Sequence, residues 1–134
     1  MALLDDIGAH LASEVGSLTL GTNLFLSRLP DDPDTCVGVF EYGGDSPIET
    51  MNGTAIPIVE QPRVQIVTRA SGYSSARTLS ISIWTALESL VNDSSLASGD
   101  TYLRFAAIQS PFPLERDSAD RVLIAQNFRV QKTT

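Results

Sequence analysis

The sequence predicts an α+β domain: one mixed or antiparallel sheet of about four to five strands, a long helix packed on one of its faces and a short N-terminal helix. Three observations lead there. Apolar residues alternate with period two in several short segments. The clearest is Arg63–Ala70, where Val64, Ile66 and Thr68 alternate with Arg63, Gln65, Val67 and Arg69. The segment 73–91 instead repeats every three to four residues, with Ala76, Ser80, Ile83, Leu87 and Leu90 in line and Leu79 and Trp84 widening the stripe. Finally, the strand segments fall as adjacent pairs around that helix, the order expected of antiparallel hairpins with a helix over one sheet face.

The elements follow in order. Residues 3–15 place Leu4, Ile7, Leu11 and Val15 on one helical face, with Asp5 and Asp6 in the first turn, where the helix dipole favours negative charge. Gly16 stops that helix. Residues 23–29 read as a first strand. Pro30-Asp-Asp-Pro-Asp34 turns the chain, because proline fixes φ and aspartates bond their own backbone. Residues 35–42 read as a second strand, ended by Gly43-Gly44. Residues 43–61 hold glycines and prolines without a sustained period, and a connection of that length is expected to be flexible. After the strand at 63–70 and the helix at 73–91, residues 92–100 form a polar loop. Tyr102–Gln109 is a strand ended by Pro111 and Pro113, and Leu114–Asp120 an exposed tip. Arg121–Val130 is the last strand, and residues 131–134 are expected to fray.

The 134 residues fit one domain, 1–134, able to bury roughly two-thirds of its unfolded surface without staples. The net charge is −7, and eight of the nine basic residues are arginine. Such a chain repels nucleic acid and anionic membranes unless its cations cluster. The single cysteine, Cys36, excludes an internal disulfide and fits a reducing setting. The first residues lack a basic, apolar leader pattern, and no apolar run approaches the ~20 residues of a membrane span.

No catalytic constellation emerges. His10 is the only histidine and lies off the apolar stripe of its helix, as a surface residue does. One histidine and one cysteine do not make a common zinc site. Asp31, Asp32 and Asp34 lack the glycine and distal glutamate of a calcium loop. Glu41 and Glu60 form a carboxylate pair only in the sense that most proteins offer one. Nucleotide and hydrolase motifs are missing, so neither cofactor nor metal is expected. Arg63 and Arg69 leave one face of their strand and Arg77 follows in the helix. They read either as solvated charges or as anchors of a subunit interface, where guanidinium groups grip carboxylates in bidentate fashion.

Asp34-Thr-Cys-Val-Gly-Val-Phe-Glu-Tyr-Gly-Gly44, then Glu60-Gln-Pro-Arg-Val-Gln-Ile-Val-Thr-Arg69, then Tyr73-Ser-Ser-Ala76, occur in an order that resembles the bacteriophage tail terminator, or tail-completion (minor capsid), family. Ile108-Gln-Ser-Pro-Phe-Pro-Leu-Glu-Arg-Asp117 and Gln126-Asn-Phe-Arg-Val130 are similar to that family's closing strands. The resemblance implies a non-enzymatic virion protein assembled in the bacterial cytoplasm. It implies a homohexameric ring that caps the tail tube, ends its polymerisation and presents a surface to the head connector. The implied partners are further copies of the chain, the major tail-tube protein and the connector or stopper protein. Double-stranded DNA meets it only in passage through the bore, and a membrane not at all. A neck or head-completion ring is the nearest alternative, and a stand-alone small-ligand-binding domain the next. Acidic residues of the exposed tip, Glu115, Asp117 and Asp120, are candidates to line the bore, because a negative lining lets DNA, with one charge per ~1.7 Å, slide.

Overall fold

Three long strands, the best-patterned stretches of the sequence, form the middle of the molecule. The computed structural model describes residues 3–48, 59–93, 96 and 98–133, with only the backbone at 92 and 93. The elements run α1 (Leu3–Glu14), β1 (Leu24–Leu26), β2 (Cys36–Ile48), β3 (Val59–Ala70), α2 (Tyr73–Glu88), β4 (Val91–Asp93), β5 (Tyr102–Ala107), β6 (Phe112–Pro113) and β7 (Val122–Thr133). The sheet order is β1-β2-β3-β7-β5-β4, and β6 also pairs with β7. The β1–β2 pair is parallel and every other pair antiparallel, so the sheet is mixed.

Alternation sorts the two faces. Val37 and Val39 of β2, Val64 and Ile66 of β3, and Phe128 and Val130 of β7 point to one side. They meet Ile7 and Leu11 of α1 and Ile83 and Leu87 of α2 in one core. Tyr102 stacks on Phe105, and Phe105 meets Phe128 edge-on, which closes the core under β5. A smaller cluster of Ala70, Ala76, Val122 and Ile124 lies under the start of α2. The buried Gln126 amide donates to the Ser80 carbonyl oxygen at 2.8 Å and ties β7 to α2. The opposite, open face carries Phe40, Gln65, Asn127, Arg63, Arg69, Arg104 and Arg129.

Four expectations change. The first two strands are not a hairpin. Residues 27–35 double back over the open face, and β2 then runs parallel to β1. That path needs Gly38, because a Cβ there would lie 2.8 Å from the Arg28 carbonyl oxygen. Residues 43–48 and 59–61, assigned to a flexible connection, instead extend β2 and β3 through two register shifts, with Gly43 at φ +48° inside the first. The middle of that connection, 49–58, lies outside the described residues. The long helix ends at Glu88 rather than near 91, and Val91–Asp93 pairs with β5. Finally, residues 131–133 do not fray, since Lys132 and Thr133 pair with Glu60 and Val59 of β3. The strand count exceeds the expectation because β4 and β6 are too short to show a period.

Candidate assembly surface

Two arginines organise one end of the open face. Arg69 leaves β3 on that face and is 3% exposed. Its Nε donates to the Asp34 carbonyl at 3.1 Å, and its Nη2 to those of Pro30, Asp31 and Pro33, the last at 2.7 Å. Arg121, at the start of β7, is buried beside it. Its Nε pairs with Asp117 at 2.8 Å, its Nη2 with Asp31 at 2.7 Å and its Nη1 with Asp34 at 3.2 Å. Backbone carbonyls alone hold the Arg69 guanidinium, and three carboxylates with the Asp31 carbonyl hold that of Arg121. The result is a fixed turn, 30–34, that leaves the Asp31 and Asp34 side chains 90% and 71% exposed.

The other end of the same face is a patch of surface arginines. Arg63 of β3 stands directly opposite Arg129 of β7, and Arg104 of β5 stands opposite Gln131, two residues further along β7. Like charges on directly opposed positions repel. Asp45 of β2 relieves this by accepting from Arg63 at 2.8 Å and from Arg129 at 2.8 Å. The Gln65–Asn127 pair at 3.1 Å and the Gln131–Gln61 pair at 3.0 Å complete a polar floor.

A third polar group lies under α1. Asp6 is fully buried and accepts from the Tyr102 hydroxyl at 2.7 Å and from the Ser98 hydroxyl and backbone N–H. Burial opposes its ionisation, but the Ser98 and Tyr102 hydrogen bonds and the Lys132 charge outweigh it and hold its pKa below the usual range. Burial, then the neighbouring Asp6, raises that of Tyr102. Lys132 lies over the Tyr102 ring and pairs with Asp100 at 2.9 Å.

The residues singled out in the sequence scatter across these features. Arg63 belongs to the surface patch and Arg69 to the clamped turn. Arg77 donates to the Pro111 carbonyl at 3.0 Å and fixes the bend before β6. Glu115 and Asp120 are exposed. Asp117 instead caps its own loop, its Oδ1 accepting from the backbone N–H of Ala119 and Arg121. The Arg121 N–H bond is the main reason that its pKa is lowered. His10, expected at the surface, is half-buried, and its Nε2 donates to the Ala86 carbonyl at 2.9 Å, joining α1 to α2. Cys36 is buried, and burial pushes its thiol pKa up. Sequence reasoning missed Arg121, Asp45, Arg104, Arg129 and Asp6. Only the even spacing of Arg121 and Arg129 along one strand carried a signal.

Among the described residues no group of three or more His, Cys, Asp or Glu could hold a metal ion, and no helix is long and apolar enough to cross a membrane. A solved structure, "Virion of native gene transfer agent (GTA) particle", contains a chain with a TM-score of 0.58 to this one. Identity is 17%, and the match covers 99% of this chain and 98% of that one, a likeness of fold. No curated protein is significantly similar. The family model described as "Bacteriophage tail terminator protein" matches residues 12–134, leaving out most of α1. The chain therefore belongs to the bacteriophage tail terminator proteins and is a structural, tail-related virion protein.

Proposed function

We propose that this protein closes into a homohexameric ring on the end of the tail tube, stops tube polymerisation there and forms the surface that meets the head connector or stopper. The family match over residues 12–134 is the observation that supports this reading. The structural neighbour, a chain of a phage-like particle, agrees with it. The physics is simple. A head-to-tail contact whose rotation divides evenly closes on itself, and a closed ring seated on a filament removes the surface on which the next layer would add. Nothing in this role needs a covalent step, so the protein acts without catalysis.

In this reading Arg63 stands at a subunit contact. Arg69 and Arg77 act on such contacts from behind, one by holding the 30–34 turn and the other by holding the Pro111 bend. Acidic side chains outnumber arginines along the bore. Glu115 and Asp120 are candidates there, and Asp117 shapes the loop that presents them. DNA passes through without being held.

The test is tube assembly. Purified major tail-tube protein of the same phage is polymerised with and without this chain, and tube lengths are read by electron microscopy. The protein should shorten the tubes and appear as a ring at one end. Unchanged lengths with no terminal density would refute the reading, and a ring found on head connectors alone would replace it with a neck protein.

A further inference from the structure

We propose that the arginine patch on the open sheet face is the seat for the 30–34 turn of a second copy of this chain. The inference rests on the ring reading and names the surfaces that would meet in it.

The patch is out of balance on its own. Arg63, Arg104 and Arg129 project from adjacent strands, and Asp45 is the carboxylate that pairs with two of them. Arg63 and Arg129 occupy opposed positions, which costs stability unless more negative charge arrives. The Arg63 Nε is buried without a hydrogen-bond partner among the described residues, an unusual state for a guanidinium donor. In a chain of net charge −7, three of the eight arginines thus come together on adjacent strands.

The turn is out of balance in the opposite sense. Asp31, Asp34 and Asp117 share Arg121, Asp32 beside them is exposed, and Arg69 gives its hydrogen bonds to backbone carbonyls instead. The turn is also held rigid by two buried arginines, so presenting its carboxylates to a partner loses little conformational entropy. Carboxylates on a fixed turn and guanidinium groups on a flat sheet are the geometry of bidentate pairing.

The two surfaces do not overlap. Arg69, under the turn, and Arg63, in the patch, are six residues apart on one strand, roughly 20 Å at the rise of an extended chain. One copy can therefore give its turn to one neighbour and its patch to another. Such a contact is heterologous, and repetition with a closing rotation makes a ring. Because the groups are exposed, the contact is sensitive to salt.

Charge reversal tests it. Self-association of the purified full chain is measured by sedimentation at low and high salt. Wild type should associate at low salt and weaken as salt rises. Arg104→Asp with Arg129→Asp should weaken association about tenfold or more, and Asp32→Arg should do the same. Neither set touches the core, and circular dichroism confirms folding. An equimolar mixture of the two variants should recover association, because reversed turn then meets reversed patch. Variants that associate like wild type overturn the inference while leaving the ring on tubes intact. A wild type that stays monomeric at all salts and concentrations overturns the self-contact. So does a patch that binds a short DNA duplex tightly while the chain fails to associate. A wild type that associates as expected but neither shortens tubes nor caps them would instead count against the ring reading.

Discussion

At one end of the open sheet face, Arg69 and Arg121 are almost completely buried, and their hydrogen bonds are made within the chain. At the other end, Arg63 and Arg129 keep 35% and 45% of their side chains exposed and share one carboxylate. The residue type is the same and so is the face. What differs is the cover: residues 27–35 fold back over the first end and leave the second bare. A buried guanidinium that loses its acceptors or leaves them unpaired carries the full desolvation cost, whereas an exposed one is screened by water. Arginine thus serves as a structural bolt at one end and as an adjustable charge at the other.

Mutations separate the two uses, with the core as the reference. Leu87→Ala, under α2, should cost about 2–5 kcal/mol in urea denaturation if it is core as described. A cost near zero would remove α2 from the core. Arg69→Ala should follow at about 2–4 kcal/mol, since the carbonyls of the 30–34 turn lose a charged donor. It should also raise amide exchange in residues 30–34 selectively. Were it as harmless as a surface change, the contrast between the two ends would collapse.

Asp6 offers a control away from the open face. Its native pKa is depressed, so its contribution is complete above the unfolded value of about 3.9 and is lost as pH falls through the lower, native value. Wild type should lose stability below about pH 4, and Asp6→Asn should flatten part of that slope while costing about 1–3 kcal/mol at neutral pH. Denaturation curves at several pH values decide this, and an unchanged slope would show that Asp6 does not couple to folding. The smallest effect should come from Arg104→Ala, within about 0.5 kcal/mol, because that guanidinium is exposed. A larger cost would mean that the patch also holds the monomer together.

The sequence made the long elements readable where apolar residues recur with a steady period. The stripe from Ala76 to Leu90 and the alternation of Val64, Ile66 and Thr68 both lie in the core as expected. Shorter pieces escaped: β4 and β6 have three and two residues, too few for a period, whereas β1 lies inside the strand expected at 23–29. The parallel β1–β2 pair escaped for a different reason. Its cause is the long-range grip of Arg69 and Arg121 on the turn, and contacts 35 to 90 positions apart leave no local trace. The same holds for the arginine patch. Arg63 could be singled out from its strand, but Arg104 and Arg129 join it only through the pairing of β7 with β3 and of β5 with β7. Asp6 looked like a dipole partner in a first turn. Its burial depends on Tyr102, which lies 96 positions away.

The place of β7 in the sheet bears on how the molecule is made. It follows every other strand in the chain, yet it lies between β3 and β5 and pairs with β6 as well. While the ribosome works, β3 must wait with one row of amides and carbonyls open, and β5 has no inner neighbour at all. The sheet is completed by insertion, like the last stave of a barrel pushed into its gap. A nascent chain is therefore exposed to mispairing with its own sisters on a polysome until residues 122–133 clear the exit tunnel.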